Sequence, residues 1–240
     1  MKKVDFASLI VFEDDDYICI NKPPFVSTLE DRTDPLNINS IAKGYHPEAH
    51  VCHRLDKETS GILALAKSTD AYRNLSIQFE KRRLEKVYHA VVEGKHDFDG
   101  VNVYLPIETK PGATAVRINK VEGKEAETVF FTEKAFKNHT LVRCYPLTGR
   151  MHQIRIHLAC LKSPIVCDTV YGGNPIFLSS LKKRYNASRG EEEEEQPIMR
   201  RVALHAVSLT FANLKGEIVT ATAPYAKDFG VLVKQLEKYS

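Results

Sequence analysis

Apolar positions along the chain follow two rhythms, one of period two and one of period three to four, and turn residues mark the joints between them. At 9–20, the runs Leu9-Ile10-Val11-Phe12 and Tyr17-Ile18-Cys19-Ile20 flank Glu13-Asp14-Asp15-Asp16 and predict two strands joined by an acidic turn. Asn21-Lys22-Pro23-Pro24 then stops the second strand, because proline cannot donate to a ladder and fixes a corner. Residues 37–43 set Ile38, Ile41 and Ala42 on one face, as a short helix would. After an apolar strand at 62–66, Ser68-Thr69-Asp70 is an N-cap signal. Tyr72, Leu75 and Phe79 follow at helical spacing as far as the basic Lys81-Arg82-Arg83, whose charge suits a helix C-terminus.

The strand rhythm returns at 86–92, where Tyr88, Ala90 and Val92 share a face, and again in short pieces at 101–104, 115–118 and 126–132. A strand at 139–147 ends on Thr148-Gly149. From Arg150 onward Ile154, Leu158 and Leu161 fall at i, i+4 and i+7 and predict a helix. Strands at 201–211 and 217–222 precede Pro224 and a closing helix with Phe229, Leu232, Val233 and Leu236 on one stripe. Short strands with turn residues between them, mixed with a few helices, imply the α+β class with a mixed, mostly antiparallel sheet and flanking helices.

Composition narrows the picture only moderately. The 240 residues can bury a core without staples, and the simplest division is one domain over 1–240. A net charge of +3 permits nucleic acid without requiring it. No apolar run is long enough to span a bilayer, and the first residues lead into no signal-peptide core, so a cytoplasmic, membrane-free protein is expected. Five cysteines without a Cys-x-x-Cys pair read as reduced thiols. His152 and His157 lack zinc-ligand spacing, so no metal is expected, and no cofactor motif is visible. Residues 179–201, with Lys182-Lys183-Arg184, five glutamates from Glu191 and Arg200-Arg201, read as a charged mobile loop.

Candidate chemistry centres on His53-Arg54-Leu55-Asp56-Lys57-Glu58-Thr59-Ser60-Gly61, a polar loop running into the strand at 62–66. The bland reading is that Asp56 caps a turn; the sharper one makes it a nucleophile or base amid basic residues that grip a polyanion. The string resembles the signature loop of the RluA-type pseudouridine synthases at every fixed position. Three further stretches resemble motifs of that family in the expected order: Asn21-Lys22-Pro23, Lys86-Val87-Tyr88, and Thr148-Gly149-Arg150-Met151-His152-Gln153-Ile154-Arg155. Relatives commonly carry a glycine shortly after Asn-Lys-Pro, where this chain has Phe25-Val26. Asp168-x-x-Tyr171-Gly172 and Leu204-His205-Ala206 also match.

The resemblance implies a pseudouridine synthase catalytic fold with a central cleft, and an isomerase acting on uridine in structured RNA, ribosomal or transfer. It assigns Asp56, Tyr88 and Arg155 to catalysis, with Arg155 pairing with Asp56 and keeping it ionised across ~4–6 Å. It assigns Arg54, His53, Lys57, Arg150, His152 and Gln153 to RNA contacts or support, with Arg54 filling the gap left by a flipped base. The basic flanks of 179–201 could touch RNA as well. The family pattern begins within the first ten residues, so a separate N-terminal RNA-binding domain is not expected, nor is a protein partner; a monomer is. Two rivals stand beside this reading, a non-catalytic RNA-binding protein on the same fold and a nucleoside or glycoside hydrolase. The latter normally recruits a second carboxylate, and the loop offers only Glu58.

Overall fold

The structure, a computed structural model, describes residues 5–30, 36–182 and 195–240; most of the charged segment at 179–201 lies outside the described residues. In chain order the strands and helices are β1 (Ile10–Glu13), β2 (Tyr17–Lys22), α1 (Ile38–Tyr45), β3 (His50–Val51), β4 (Ser60–Ala66), α2 (Thr69–Glu80) and β5 (Glu85–Glu93). Next come β6 (Val101–Tyr104), β7 (Ile107–Glu108), β8 (Arg117–Ile118), β9 (Glu127–Ala135), β10 (His139–Pro146) and α3 (Gln153–Cys160). The last are α4 (Leu178–Leu181), β11 (Leu204–Ala212), β12 (Ile218–Thr222) and α5 (Lys227–Lys238). Where the sequence suggests one domain, the chain gathers into two compact units. One comprises Met1–Tyr88 and His205–Ala226, the other His89–Leu204 and Lys227–Ser240.

In the first unit the strands run in the order β1-β2-β4-β11, with β3 on β4 and β12 on β11. The acidic turn between β1 and β2 is an Asx turn, since Asp14 Oδ1 accepts from the backbone N–H groups of Asp16 and Tyr17 at 2.9 and 2.6 Å. β2 lies antiparallel to β4 from Tyr17 opposite Ala66 to Lys22 opposite Gly61, whereas β11 joins β4 in parallel, His205 opposite Ser60. Strand β4 is therefore covered on both edges, and all seven of its residues are buried. Both of its faces are packed, which is why the run Ile62–Ala66 is apolar and does not alternate. Tyr17, Ile18, Ile20, Leu63, Leu65, Leu75 and Phe211 form the centre of this core.

In the second unit β10, β9 and β6 form an antiparallel series, and β7 and β8 a small antiparallel pair. Ile107, Val116, Ala126 and Ile156 make a core here, with Met151 and Tyr171 packed against it. The sheet class is the mixed, mostly antiparallel one expected, with flanking helices. The closing helix buries Phe229, Leu232, Val233 and Leu236, the predicted stripe.

Three local differences have physical causes. Helix α2 buries Ala71, Leu75 and Gln78, while Tyr72 is exposed. The helix is rotated because Gln78 trades two hydrogen bonds with the backbone of Ala212, at 2.7 and 2.8 Å, and a polar anchor is invisible to apolar periodicity. Helix α3 begins at Gln153, three residues after Arg150, because His152 adopts a left-handed backbone with φ 53°. Arg201 is no solvated flank of a loop. It is buried, and its Nε and Nη2 donate to Asp228 at 2.7 and 2.8 Å.

Candidate active site

Asp56 lies between β3 and β4 on a loop fixed through its main chain. Leu55 is buried beneath it and is held on both polar groups by one hydroxyl: its N–H donates to Thr28 Oγ1 at 3.1 Å, and that hydroxyl donates to its carbonyl at 2.9 Å. Thr28 thus serves Leu55 as a strand partner would, satisfying both of its main-chain polar groups. On the other side of Asp56, the carbonyl of Lys57 accepts from the N–H of Phe25 at 2.8 Å and from Lys22 Nζ at 3.2 Å. The Lys22 ammonium is wholly buried and also donates to the carbonyls of Pro23 and Val26, both at 3.0 Å. Three carbonyl dipoles offset part of the cost of taking that charge out of water. The Asn-Lys-Pro corner and the Asp56 loop are in this way tied together.

The small residues after Asp56 are required by close packing. Thr59 closes the turn, its N–H donating to the Asp56 carbonyl at 3.0 Å. Gly61 has φ 111°, and a Cβ there would sit 2.0 Å from the Ala206 carbonyl oxygen, so only glycine lets β4 meet β11. Ser60 Oγ bonds Nδ1 of the buried His205 at 2.9 Å, and His205 Nε2 faces the Ala223 carbonyl at 3.3 Å. The Leu-His-Ala stretch therefore locks the strand that carries the loop. Its histidine is a structural polar link.

His53 is engaged inward. Its Nε2 accepts from the Ala64 N–H at 3.0 Å, and its ring packs on Phe79 with centroids 4.7 Å apart. Burial, and then the charge of Lys86, push this imidazole down to about 3, so it is neutral and protonated on Nδ1. A neutral, inward ring contributes no cation to a phosphate; it positions the loop. Lys86 is itself pushed down to about 8 by burial and by Arg82.

Tyr88 packs against the first core and is half-buried. Its phenol is raised first by burial and second by the negative charge of Asp56, so it stays protonated at neutral pH. Arg54 and Lys57 are exposed beside Asp56.

The predicted residues of the second unit are held by their own side chains. Gln153 is buried, and its amide is spent within the fold. Oε1 accepts from Thr148 Oγ1 at 2.6 Å and the Arg150 N–H at 3.0 Å, and Nε2 donates to the Glu127 carbonyl and Thr128 Oγ1. The expected RNA contact at Gln153 is thus a buckle that seats α3. Arg155 is buried, and its Nε and Nη2 donate to both oxygens of Asp168 at 2.7 and 2.8 Å, with its guanidinium 5.1 Å from the Tyr171 ring centre. The Tyr171 hydroxyl lies 3.0 Å from His152 Nδ1 and accepts from the Val116 N–H at 2.8 Å. Arg150 is exposed, its Nε donating to the Glu125 carbonyl at 2.9 Å.

Sequence reasoning did not single out Thr28 or the pairing of Asp168 with Arg155. The Asp-x-x-Tyr-Gly spacing was a usable signal for the latter, since Asp168 and Tyr171 both face Arg155. No periodic or compositional signal marks Thr28.

Comparison with known proteins places these features in context. A profile of the family described as RNA pseudouridylate synthase matches residues 16–160. The chain is 34% identical over 240 residues to the ribosomal large subunit pseudouridine synthase D of Haemophilus ducreyi, covering 95% of this chain and 70% of that one. It is 33% identical to the ribosomal large subunit pseudouridine synthase C of Salmonella typhimurium, covering 93% and 68%. Among solved structures, human RNA pseudouridylate synthase domain containing 1 is similar at a TM-score of 0.67 and 25% identity, over 94% of this chain and 86% of that one. Human RNA pseudouridylate synthase domain containing 4 shares the fold at a TM-score of 0.71 and 23% identity, over 97% and 95%.

Proposed function

Because this chain belongs to the RluA-type RNA pseudouridine synthases, and is therefore an isomerase acting on RNA, we propose that Asp56 performs the isomerisation and that its substrate is a uridine in structured ribosomal RNA. The observation that carries the assignment is the clamped main chain on either side of Asp56, which fixes the carboxylate's origin while Tyr88 stands close enough to feel its charge. The relatives, synthases of the ribosomal large subunit, support large-subunit ribosomal RNA over transfer RNA. We further propose a cytoplasmic monomer; no described helix is long and apolar enough to cross a membrane.

In the reaction the N1–C1′ bond of uridine breaks, a C5–C1′ bond forms, C5 loses its proton and N1 gains one. Nothing is oxidised and no atom is lost overall. The target nucleotide leaves its stack at a cost of a few kcal/mol, and Arg54 occupies the gap. Both routes by which a carboxylate can open the glycosidic bond, attack on C1′ and removal of the C2′ proton, need Asp56 ionised. Arg155 keeps the catalytic part that the resemblance assigns to it, with Asp168 orienting its guanidinium.

Tyr88 offers a ring face to the uracil. As a neutral phenol it can take the C5 proton only while passing its own to a base, and Asp56 is the base whose charge it senses. Exposed Lys57 and Arg150 serve phosphates.

The test is a map of pseudouridines in ribosomal and transfer RNA from cells with and without the gene. Loss of one or more pseudouridines from the large-subunit RNA is expected. Loss confined to transfer RNA overturns the substrate assignment, and an unchanged map in both overturns the reading.

A further inference from the structure

Phe25 combines three properties that rarely coincide. It is a bulky aromatic with φ 66°, a left-handed backbone that glycine adopts freely and L side chains disfavour. The residue is 52% exposed, so about half of its apolar surface stays in contact with water where it stands. Its N–H donates to the Lys57 carbonyl at 2.8 Å, immediately after Asp56.

The corner that presents it is rigid. Pro23 and Pro24 fix the approach, and the buried Lys22 ammonium draws the carbonyls of Pro23, Val26 and Lys57 around itself at 3.0, 3.0 and 3.2 Å. The path from the Phe25 Cα to the Asp56 Cα, through that one hydrogen bond, is at most about 11 Å. Beside it Arg54 and Lys57 are exposed. Exposed aromatic and basic side chains on one fixed surface are the elements from which single-stranded nucleic acid sites are built, rings taking base faces and cations taking phosphates. Disfavoured backbone persists where the surroundings over-determine it, and it clusters at functional sites.

We propose that Phe25 is a stacking platform for an unpaired base of the RNA substrate, next to the uridine delivered to Asp56. The inference rests on the functional reading above and adds a specificity residue to it. Because the ring binds a flanking base and takes no part in bond making, its removal acts on KM and leaves kcat within about twofold.

The chain contains no tryptophan, so Phe25→Trp installs a single reporter at the proposed contact. The probe is unmodified large-subunit ribosomal RNA made by transcription. Phe25→Gly relieves the backbone and should melt at the same temperature or higher, yet bind this RNA about tenfold more weakly and raise KM to match. Phe25→Trp should bind as the parent does, with its fluorescence quenched on adding RNA. Binding of Phe25→Gly within twofold of the parent, or tight binding of Phe25→Trp with no change in emission, overturns the proposal. Pseudouridine formation by the unaltered protein, measured alongside, separates this from the wider reading: an active parent with an indifferent Phe25→Gly sinks the platform alone, and a parent inactive on ribosomal RNA sinks the substrate assignment.

Discussion

The loop around Asp56 and the turn leading into α3 are both polar stretches between apolar elements, yet they are fixed in opposite ways. Around Asp56 the clamps act on main-chain atoms: Thr28 holds both polar groups of Leu55, and Lys22 and Phe25 hold the carbonyl of Lys57. Arg54 and Lys57 are left at the surface. At the start of α3 the side chains are themselves the clamps, with Gln153 bonded to four groups and Arg155 paired across two bonds with Asp168. Substitution in the first region should therefore show in function, and in the second also in stability.

The largest stability loss should follow Asp168→Ala, which removes two short hydrogen bonds and a countercharge from a buried guanidinium. Breaking such a pair costs about 3–5 kcal/mol, read as a lower urea midpoint at unchanged slope. A parent-like midpoint would mean that the pair is not what seats Arg155. Next comes a contrast within one turn. Gln153→Ala removes four hydrogen bonds at the start of α3 and should cost about 2 kcal/mol, while Arg150→Ala should leave stability alone and reduce the salt dependence of RNA binding by about 0.7–1 in log–log slope. Equal effects on stability would erase the contrast between buckle and surface cation.

Thr28→Val keeps the shape and deletes the hydroxyl. Stability should fall by about 1 kcal/mol and kcat about tenfold with KM little changed, and Thr28→Ser should restore both. A variant with parental kcat would show that Asp56 does not depend on the Leu55 clamp.

The last effect is confined to acid pH. His53 titrates near 3 in the fold and near 6.5 when unfolded, so between those values the unfolded chain holds a proton that the folded chain refuses. Stability contributed by the neutral ring is complete above about pH 6.5 and is lost as pH falls toward 3. His53→Gln should flatten the part of the acid-side slope due to this residue in urea titrations, and an identical slope would place His53 in solvent.

Much of the fold was legible because apolar spacing reports which faces are buried. The hairpin β1–β2, the all-buried β4 and the stripe of α5 follow from the sequence with their boundaries nearly right. What escaped was polar anchoring. Gln78 turned α2 by one position, and the left-handed His152 delayed α3, neither of which alters hydrophobic period.

The same holds at the site. Asp56 and Tyr88 were readable from a motif and are within electrostatic reach of one another. The inward duties of His53 and Gln153 were not, because a side chain's hydrogen-bond partner is set by tertiary neighbours distant in sequence. The resemblance implied RNA contacts or support for both; in the structure each side chain is bonded within the fold.

The most direct test of the central claim follows C5 itself. RNA carrying tritium at uridine C5 releases that label when C5 bonds to C1′. The parent protein should release it from ribosomal RNA without freeing uracil. Asp56→Asn, folded and still binding RNA, should slow release by more than about a thousandfold. Release by Asp56→Asn within tenfold of the parent, or free uracil from the parent reaction, would contradict the account.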